Sequence, residues 1–378
     1  MMGLPLKPHI AKLPVYKPPT APPGVERVVN LSTNENPLGP SPKAMAALRE
    51  AVGTVNRYPD AAGTALKAAL ADKYGLSPAN IALGNGVDEL LLLLCLSLTD
   101  PGDEVIMALG SFISYLVWTT AVGAKAVRVP LQDYTHDLEA IADAITDRTR
   151  LVFVCNPNNP TGTVVKATAM EEFLERVPKQ VPVALDEAYY EYVVNPDHRS
   201  GVKYLHAGRE NLIVLRTFSK VYGLAGLRVG YMLAHEKVID YLERARQPFN
   251  VNRLAQVAAL AALDDDEHVR RCVAANETAK GFFYRELAAL GLRYIPTHTN
   301  FMAIDVGRPG TEVSRLLLER GFITTALDGW GVPNHVRFSF GTPEENEAFV
   351  ATLKEVIDFR SFRSFGSLVA TLREVKRT

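Results

Sequence analysis

Thr217-Phe218-Ser219-Lys220-Val221-Tyr222-Gly223-Leu224-Ala225-Gly226-Leu227-Arg228-Val229-Gly230 follows an apolar run, Leu212-Ile213-Val214-Leu215, that reads as a buried strand. The stretch sets Lys220 among small, hydroxyl and glycine residues, with Arg228 eight positions further on. A lysine in a largely apolar, glycine-flanked setting is poorly hydrated. Desolvation lowers the pKa of an amine and makes it nucleophilic, which is the condition for attack on a carbonyl carbon. The same residues also fit a loop lysine paired with a nearby acid, and the stretch alone does not separate the two.

Outward from this stretch, short apolar runs alternate with helical segments. Strands are expected at 81–83, 104–107, 126–129, 151–154, 181–185 and 212–215, and helices at 43–52, 87–98, 112–121, 138–145 and 170–177. Strands this apolar are expected where helices cover both faces of a sheet. The alternation predicts an α/β fold built on a mainly parallel sheet. Past residue 244 the rhythm changes to long helices at 253–263 and 267–290, then strands at 293–295, 301–304 and 336–339. The chain is therefore read as an extended, proline-rich N-terminal arm (1–35), a large domain (36–265) and a smaller α+β domain (266–378). Part of the N-terminal segment is expected to pack on the smaller domain, and a short amphipathic helix is expected after Phe359.

Composition narrows the class of partner. Lys and Arg number 41 against 42 Asp and Glu, and a net charge of −1 leaves no electrostatic footprint for nucleic acid or an anionic membrane. A hydrophobic content of 47% excludes a disordered chain. Cys95, Cys155 and Cys272 lie far apart without a CxxC pair, which argues against a disulfide framework and a structural metal site. The N-terminal residues have no signal-peptide core, and the longest apolar run, 90–98, is too short to cross a bilayer. A cytoplasmic protein that acts on small molecules and pairs with other protein chains is expected.

In open parallel sheets, ligands bind outside the carboxyl ends of the strands. After Leu83 comes Gly84-Asn85-Gly86-Val87-Asp88-Glu89, a helix start whose free N–H groups suit an anion, or simply a glycine turn. After Val154 comes Cys155-Asn156-Pro157-Asn158-Asn159-Pro160-Thr161-Gly162, a rigid loop rich in amides. Asp186 ends the run Val181-Pro182-Val183-Ala184-Leu185, where a carboxylate is costly to bury unless a cation or protonated nitrogen meets it. Ser219 and Lys220 follow Leu215. An anion site, an amide pair, a buried carboxylate and an amine on one sheet edge describe a ligand with a phosphate, a ring hydroxyl, a basic ring nitrogen and an aldehyde. Pyridoxal phosphate has all four.

The sequence resembles the fold-type I pyridoxal-phosphate aminotransferases, and among them the histidinol-phosphate aminotransferase group. The resemblance is carried by Asn34-Glu35-Asn36-Pro37-Leu38-Gly39, Arg57-Tyr58-Pro59-Asp60, Asn158-Asn159-Pro160-Thr161-Gly162, Asp186-Glu187-Ala188-Tyr189, Thr217-Phe218-Ser219-Lys220 and Val336-Arg337-Phe338-Ser339-Phe340-Gly341-Thr342. It implies an aspartate aminotransferase-like fold with a seven-stranded sheet and a homodimer with shared active sites. It also implies that Lys220 holds the cofactor covalently and moves the proton, and that Asp186 pairs with the ring nitrogen. Asn159 and Tyr189 would bind the ring hydroxyl, and Phe112 would stack on the ring. Val87, Asp88, Thr217, Ser219 and Arg228 would hold the phosphate, joined by Tyr58 from the neighbouring subunit. Arg337 would clamp a substrate carboxylate, with Tyr16, Asn36 and Thr325 beside the substrate. No metal is implied.

Two positions depart from the family pattern. Gly110 precedes Ser111-Phe112 where the family usually has proline, and Gly321-Phe322-Ile323-Thr324-Thr325 carries Thr325 where the family has a phosphate-binding arginine. Losing one charge-assisted contact of this kind costs roughly 1.5–3 kcal/mol. The expected activity is amino transfer from histidinol phosphate to 2-oxoglutarate, with an aromatic or other neutral-side-chain amino acid as the alternative donor. A decarboxylase on the same scaffold would share the cofactor residues. A cofactor-sensing regulator would need a DNA-binding domain, for which the arm before Asn34 leaves no room.

Overall fold

A computed structural model of the protein describes residues 6–13, 15, 20, 23–25 and 27–357. After a two-residue strand β1 (Val29–Asn30), the chain builds its large sheet from β2 (Ile81–Gly84), β3 (Glu104–Leu109), β4 (Lys125–Gln132), β5 (Thr135–His136), β6 (Thr149–Cys155), β7 (Val183–Asp186), β8 (Leu212–Thr217) and β9 (Gly230–Ala234). Their spatial order is β2-β9-β8-β7-β6-β3-β4-β5. The four pairings from β8 through β7, β6 and β3 to β4 are parallel, whereas β9 runs against both neighbours. The sheet thus has eight strands rather than the expected seven, because the two-residue β5 folds back on the end of β4.

Successive residues of the central strands enter different cores, which is why these strands read as unbroken apolar runs. Val152, Val154, Val183, Leu185, Leu212 and Val214 pack on one face. Leu151, Phe153, Ala184, Ile213 and Leu215 pack on the other, under the helix Gly86–Leu98. From β3 the chain moves outward to β4, then returns to lay β6 on the other side of β3. That reversal opens a crevice at the carboxyl ends of β3 and β6, the usual place for a ligand in such a sheet.

The chain then forms the 24-residue helix Asp266–Ala289 and a smaller sheet. Its strands are β10 (Arg293–Ile295), β11 (Phe301–Asp305), β13 (Thr325–Ala326) and β14 (His335–Ser339), in the antiparallel order β10-β11-β14-β13. Phe283 on the long helix packs on Phe338, Phe340 and Phe349. β1 pairs in parallel with β12 (Phe322–Ile323), and Leu31 joins the same core. The N-terminal segment is thereby tied to the smaller sheet just before residues 32–35 enter the crevice.

Close backbone approach fixes the loop after Lys220. Gly223 has φ +70°, and a Cβ there would lie 2.3 Å from the Gly39 carbonyl oxygen. Only glycine permits both the left-handed backbone and this contact. The strand β9 was not expected from the sequence: its chain returns through the short turn Ala225–Leu227, with no crossover helix to announce it. The proline-rich arm, expected to be extended, contains one helical turn at Pro8–Ala11, with Pro8 at the first helical position where its missing N–H costs nothing. The helix expected after Phe359 lies outside the described residues.

Candidate active site

The crevice holds a cavity of about 860 Å³, lined by Val87, Asp88, Phe112, Asn159, Asp186, Tyr189, Thr217, Ser219, Lys220, Arg228, Thr325 and Arg337, all expected site residues. Each strand end delivers part of it, as β7 ends in Asp186 and β8 in Thr217.

Asp186 is 3% exposed. Tyr115 Oη donates to its Oδ2 at 2.8 Å and the Ala188 N–H to its Oδ1 at 3.0 Å. Burial nevertheless dominates and pushes its carboxyl from the ordinary 3.8 up to about 6. Lys220 Nζ donates to the Thr33 carbonyl at 3.0 Å and lies 5.6 Å from the centre of the Tyr189 ring. Desolvation, helped by the positive charge of Arg337, lowers its amine to about 8. At pH 7 roughly a tenth of such an amine is uncharged and nucleophilic, far more than of an ordinary lysine.

At the other end of the cavity the helix Gly86–Leu98 presents its N-terminus, with the Val87 and Asp88 N–H groups in its first turn. Gly86 has φ +75°, and a Cβ there would lie 2.2 Å from the Arg228 guanidinium. The glycine lets the helix start and the arginine converge, and the two form a positive pole suited to an anion. Arg228 itself adopts φ +56°, reaches toward Ser219 Oγ at 3.4 Å and faces Asp88 at 3.8 Å.

Arg337, on β14, is buried. It donates to Asn159 Oδ1, to the Ser32 carbonyl and, at 3.1 Å, to Thr325 Oγ1. Its Nε is buried and has no partner among the described residues. Burial lowers its pKa to about 10, so the guanidinium stays charged at neutral pH. A fixed cation with one N–H to spare is a receptor for an anionic group.

Two expected residues, Asn36 and Tyr58, are not in this cavity. Asn36 donates to the Val221 carbonyl at 2.8 Å and to Cys272 Sγ, and it lines a separate cavity of about 560 Å³. Tyr58 is 78% exposed and stacks on Phe249 with ring centres 4.6 Å apart. Tyr16 lies outside the described residues.

Asn34 stands where Asn36 was expected. Its Nδ2 donates to Tyr189 Oη at 2.9 Å, and its backbone has φ +56°. Asparagine tolerates that conformation better than most residues, a signal the sequence did carry. Tyr115 was also missed: it lies in the first turn of the helix Ile113–Ala121, three residues after the N-cap Phe112, and meets that ring edge-on at 5.6 Å between centres. Thr33 and Trp330 complete the lining. Gly110 takes φ +91°, which a proline ring cannot reach, so the departure from proline changes the backbone that leads to Phe112.

Comparison with known proteins places these features. The family profile for aminotransferase class I and II matches residues 26–353. The chain is 48% identical to a histidinol-phosphate aminotransferase of Moorella thermoacetica over 334 residues, 88% of this chain and 86% of that protein. It is 46% identical to histidinol-phosphate aminotransferase 2 of Carboxydothermus hydrogenoformans, over 93% of this chain and 97% of that one. Among solved structures it is similar to the histidinol-phosphate aminotransferase of Sinorhizobium meliloti in complex with pyridoxal-5'-phosphate, with TM-score 0.84, 31% identity and coverage of 93% and 97%.

The Asp186 shift has a measurable sign in the ligand-free protein. A carboxyl raised from 3.8 to about 6 on folding contributes stability that is complete below pH 3.8 and lost as pH rises through 6. Between pH 4 and 7 the ligand-free wild type should lose up to about 3 kcal/mol of stability relative to Asp186→Asn. Urea unfolding at a series of pH values checks this, and parallel pH profiles for the two proteins would contradict it.

Proposed function

The chain belongs to the class I and II aminotransferases, and from that premise we propose that it transfers the amino group of histidinol phosphate to 2-oxoglutarate with pyridoxal phosphate as cofactor. The observation that carries the reading is the joint placement of Lys220, Asp186 and the Gly86–Arg228 anion cradle in one cavity. The donor set fits the cofactor: an amine for its aldehyde, a buried carboxylate for its ring nitrogen, and a glycine-made cradle for its phosphate.

Bound in this cavity, pyridoxal phosphate supplies a carbonyl carbon for the amine and a ring that withdraws electrons from the substrate carbon. Lys220 Nζ would hold the cofactor at that carbon and, when free, would move the substrate proton as general base. Asp186 keeps a proton on the ring nitrogen, and Tyr115 orients Asp186. Val87, Asp88, Thr217, Ser219 and Arg228 take the phosphate. Asn159 and Tyr189 take the ring hydroxyl, and Phe112 offers its ring for stacking. Arg337 receives the anionic end of each substrate: the phosphate of the amino donor in one half-reaction and the carboxylate of glutamate or 2-oxoglutarate in the other. Three buried, free cysteines suit a reducing cytoplasm.

A second copy of the chain belongs to this reading. Val52, Val55, Tyr58 and Phe249 are exposed apolar residues, and in this reading Tyr58 serves the phosphate cradle of the partner in a homodimer. Tyr58→Ala should weaken cofactor binding, and mixing it with Lys220→Ala chains should restore one site of wild-type affinity per mixed dimer. Wild-type affinity in Tyr58→Ala alone would sink the shared-site reading.

Thr325 favours one alternative donor, because a hydroxyl stands where the family has a second cation. The two are separated by kcat/KM for histidinol phosphate, phenylalanine and tyrosine with 2-oxoglutarate as acceptor. A large excess for histidinol phosphate is expected. Equal or faster turnover of the aromatic amino acids would replace the donor and leave the family reading intact.

A further inference from the structure

The strand ends that build the cavity also carry a constellation behind it. Asp186 and Glu187 are consecutive, as are Arg216 and Thr217, and neighbours on an extended chain point to opposite faces. Asp186 and Thr217 line the cavity, whereas Glu187 and Arg216 meet behind it with side chains 0% and 2% exposed. Arg216 Nε and Nη2 approach the same Glu187 oxygen at 2.8 and 2.7 Å, and Nη1 reaches Glu191 at 3.3 Å. The other Glu187 oxygen accepts the Gly201 N–H at 2.7 Å. Ser200 Oγ accepts from Arg216 at 2.9 Å and donates to Glu187 at 3.1 Å. The guanidinium lies 3.8 Å from the centre of the Tyr190 ring. Just in front of this cluster the backbone ladder between β7 and β8 closes with the Glu187 N–H on the Leu215 carbonyl at 2.9 Å.

Stability alone is a weak reason for such a cluster, since the cost of desolvating two charges offsets much of their attraction. What the pair does provide is a side-chain link between two strand ends. The front of one carries Asp186, and the front of the other leads into the Thr217–Lys220 segment. A single rigid ligand must satisfy groups from both at once, so a shift of one end against the other weakens all its contacts together.

We propose that Arg216 and Glu187 are positioning residues whose buried ion pair sets the spacing between Asp186 and the Thr217–Lys220 segment, and so the fit of the cofactor between them. The proposal rests on the cofactor reading above. Neither side chain touches the cavity, so both act through the strand ends they join.

The test strips cofactor from wild type, Arg216→Met and Glu187→Gln and titrates each with pyridoxal phosphate. Wild type that fails to bind would overturn the cofactor reading itself, independently of this proposal. With wild-type binding established, folded variants should show a dissociation constant raised roughly tenfold or more, the scale on which supporting residues act. The visible-region dichroism of their bound cofactor should also change. Glu187→Gln keeps the side-chain shape but turns one acceptor into a donor, so it tests the same link should Arg216→Met fail to fold. Folded variants with wild-type affinity and dichroism would overturn the proposal and leave the pair a structural role only.

Discussion

A carboxylate at the end of a buried strand needs a cation, and among the described residues Asp186 has no ion-pair partner. Its two donors are a tyrosine hydroxyl and a backbone N–H, and burial still holds the carboxyl near 6. The protein therefore maintains a desolvated acid that a protonated ring nitrogen would relieve. Lys220 is the complement: an amine lowered to about 8 in the same cavity, held by a backbone carbonyl rather than by an acid. The alternative reading of Lys220, a loop lysine in an ion pair, fails on that contact. Keeping acid and amine apart leaves each poised for a different part of one ligand.

The sheet makes this arrangement possible because its strands are buried on both faces and end together. Alternation along β7 and β8 gives each strand end a front and a back. The front carries Asp186 and Thr217, and the back carries Glu187 and Arg216. The smaller sheet contributes from the opposite wall. β14 supplies Arg337, while Ser339 Oγ accepts the Asn34 N–H at 2.8 Å and Asn300 Nδ2 donates to the Asn34 carbonyl at 3.0 Å. Residues 32–35 are thus held to the smaller sheet while reaching the cavity, which joins its two walls.

Much of this was legible in the sequence, for a physical reason. Strand ends are where local pattern and ligand chemistry coincide, so Asp186, Thr217, Ser219 and Lys220 could be placed from apolar runs and the residues after them. What was less legible depends on contacts distant in sequence. Asn34 and Asn36 sit two residues apart in one loop, and only the tertiary path shows that one meets Tyr189 and the other Cys272. Tyr115 is one apolar-looking position in an apolar helix until Asp186 is brought to its hydroxyl. β9 carries no crossover pattern because its pairing is antiparallel. Nor could composition show that Glu187 and Arg216 are partners, since they lie 29 residues apart at the ends of adjacent strands.

The central claim is that Lys220, and no other lysine, bonds to the cofactor in this cavity. Borohydride reduction of the cofactor-loaded protein, followed by proteolysis and mass spectrometry, reads that bond directly. The account predicts a phosphopyridoxyl group on the peptide containing Lys220. The same group on a different lysine, or on none, would contradict it.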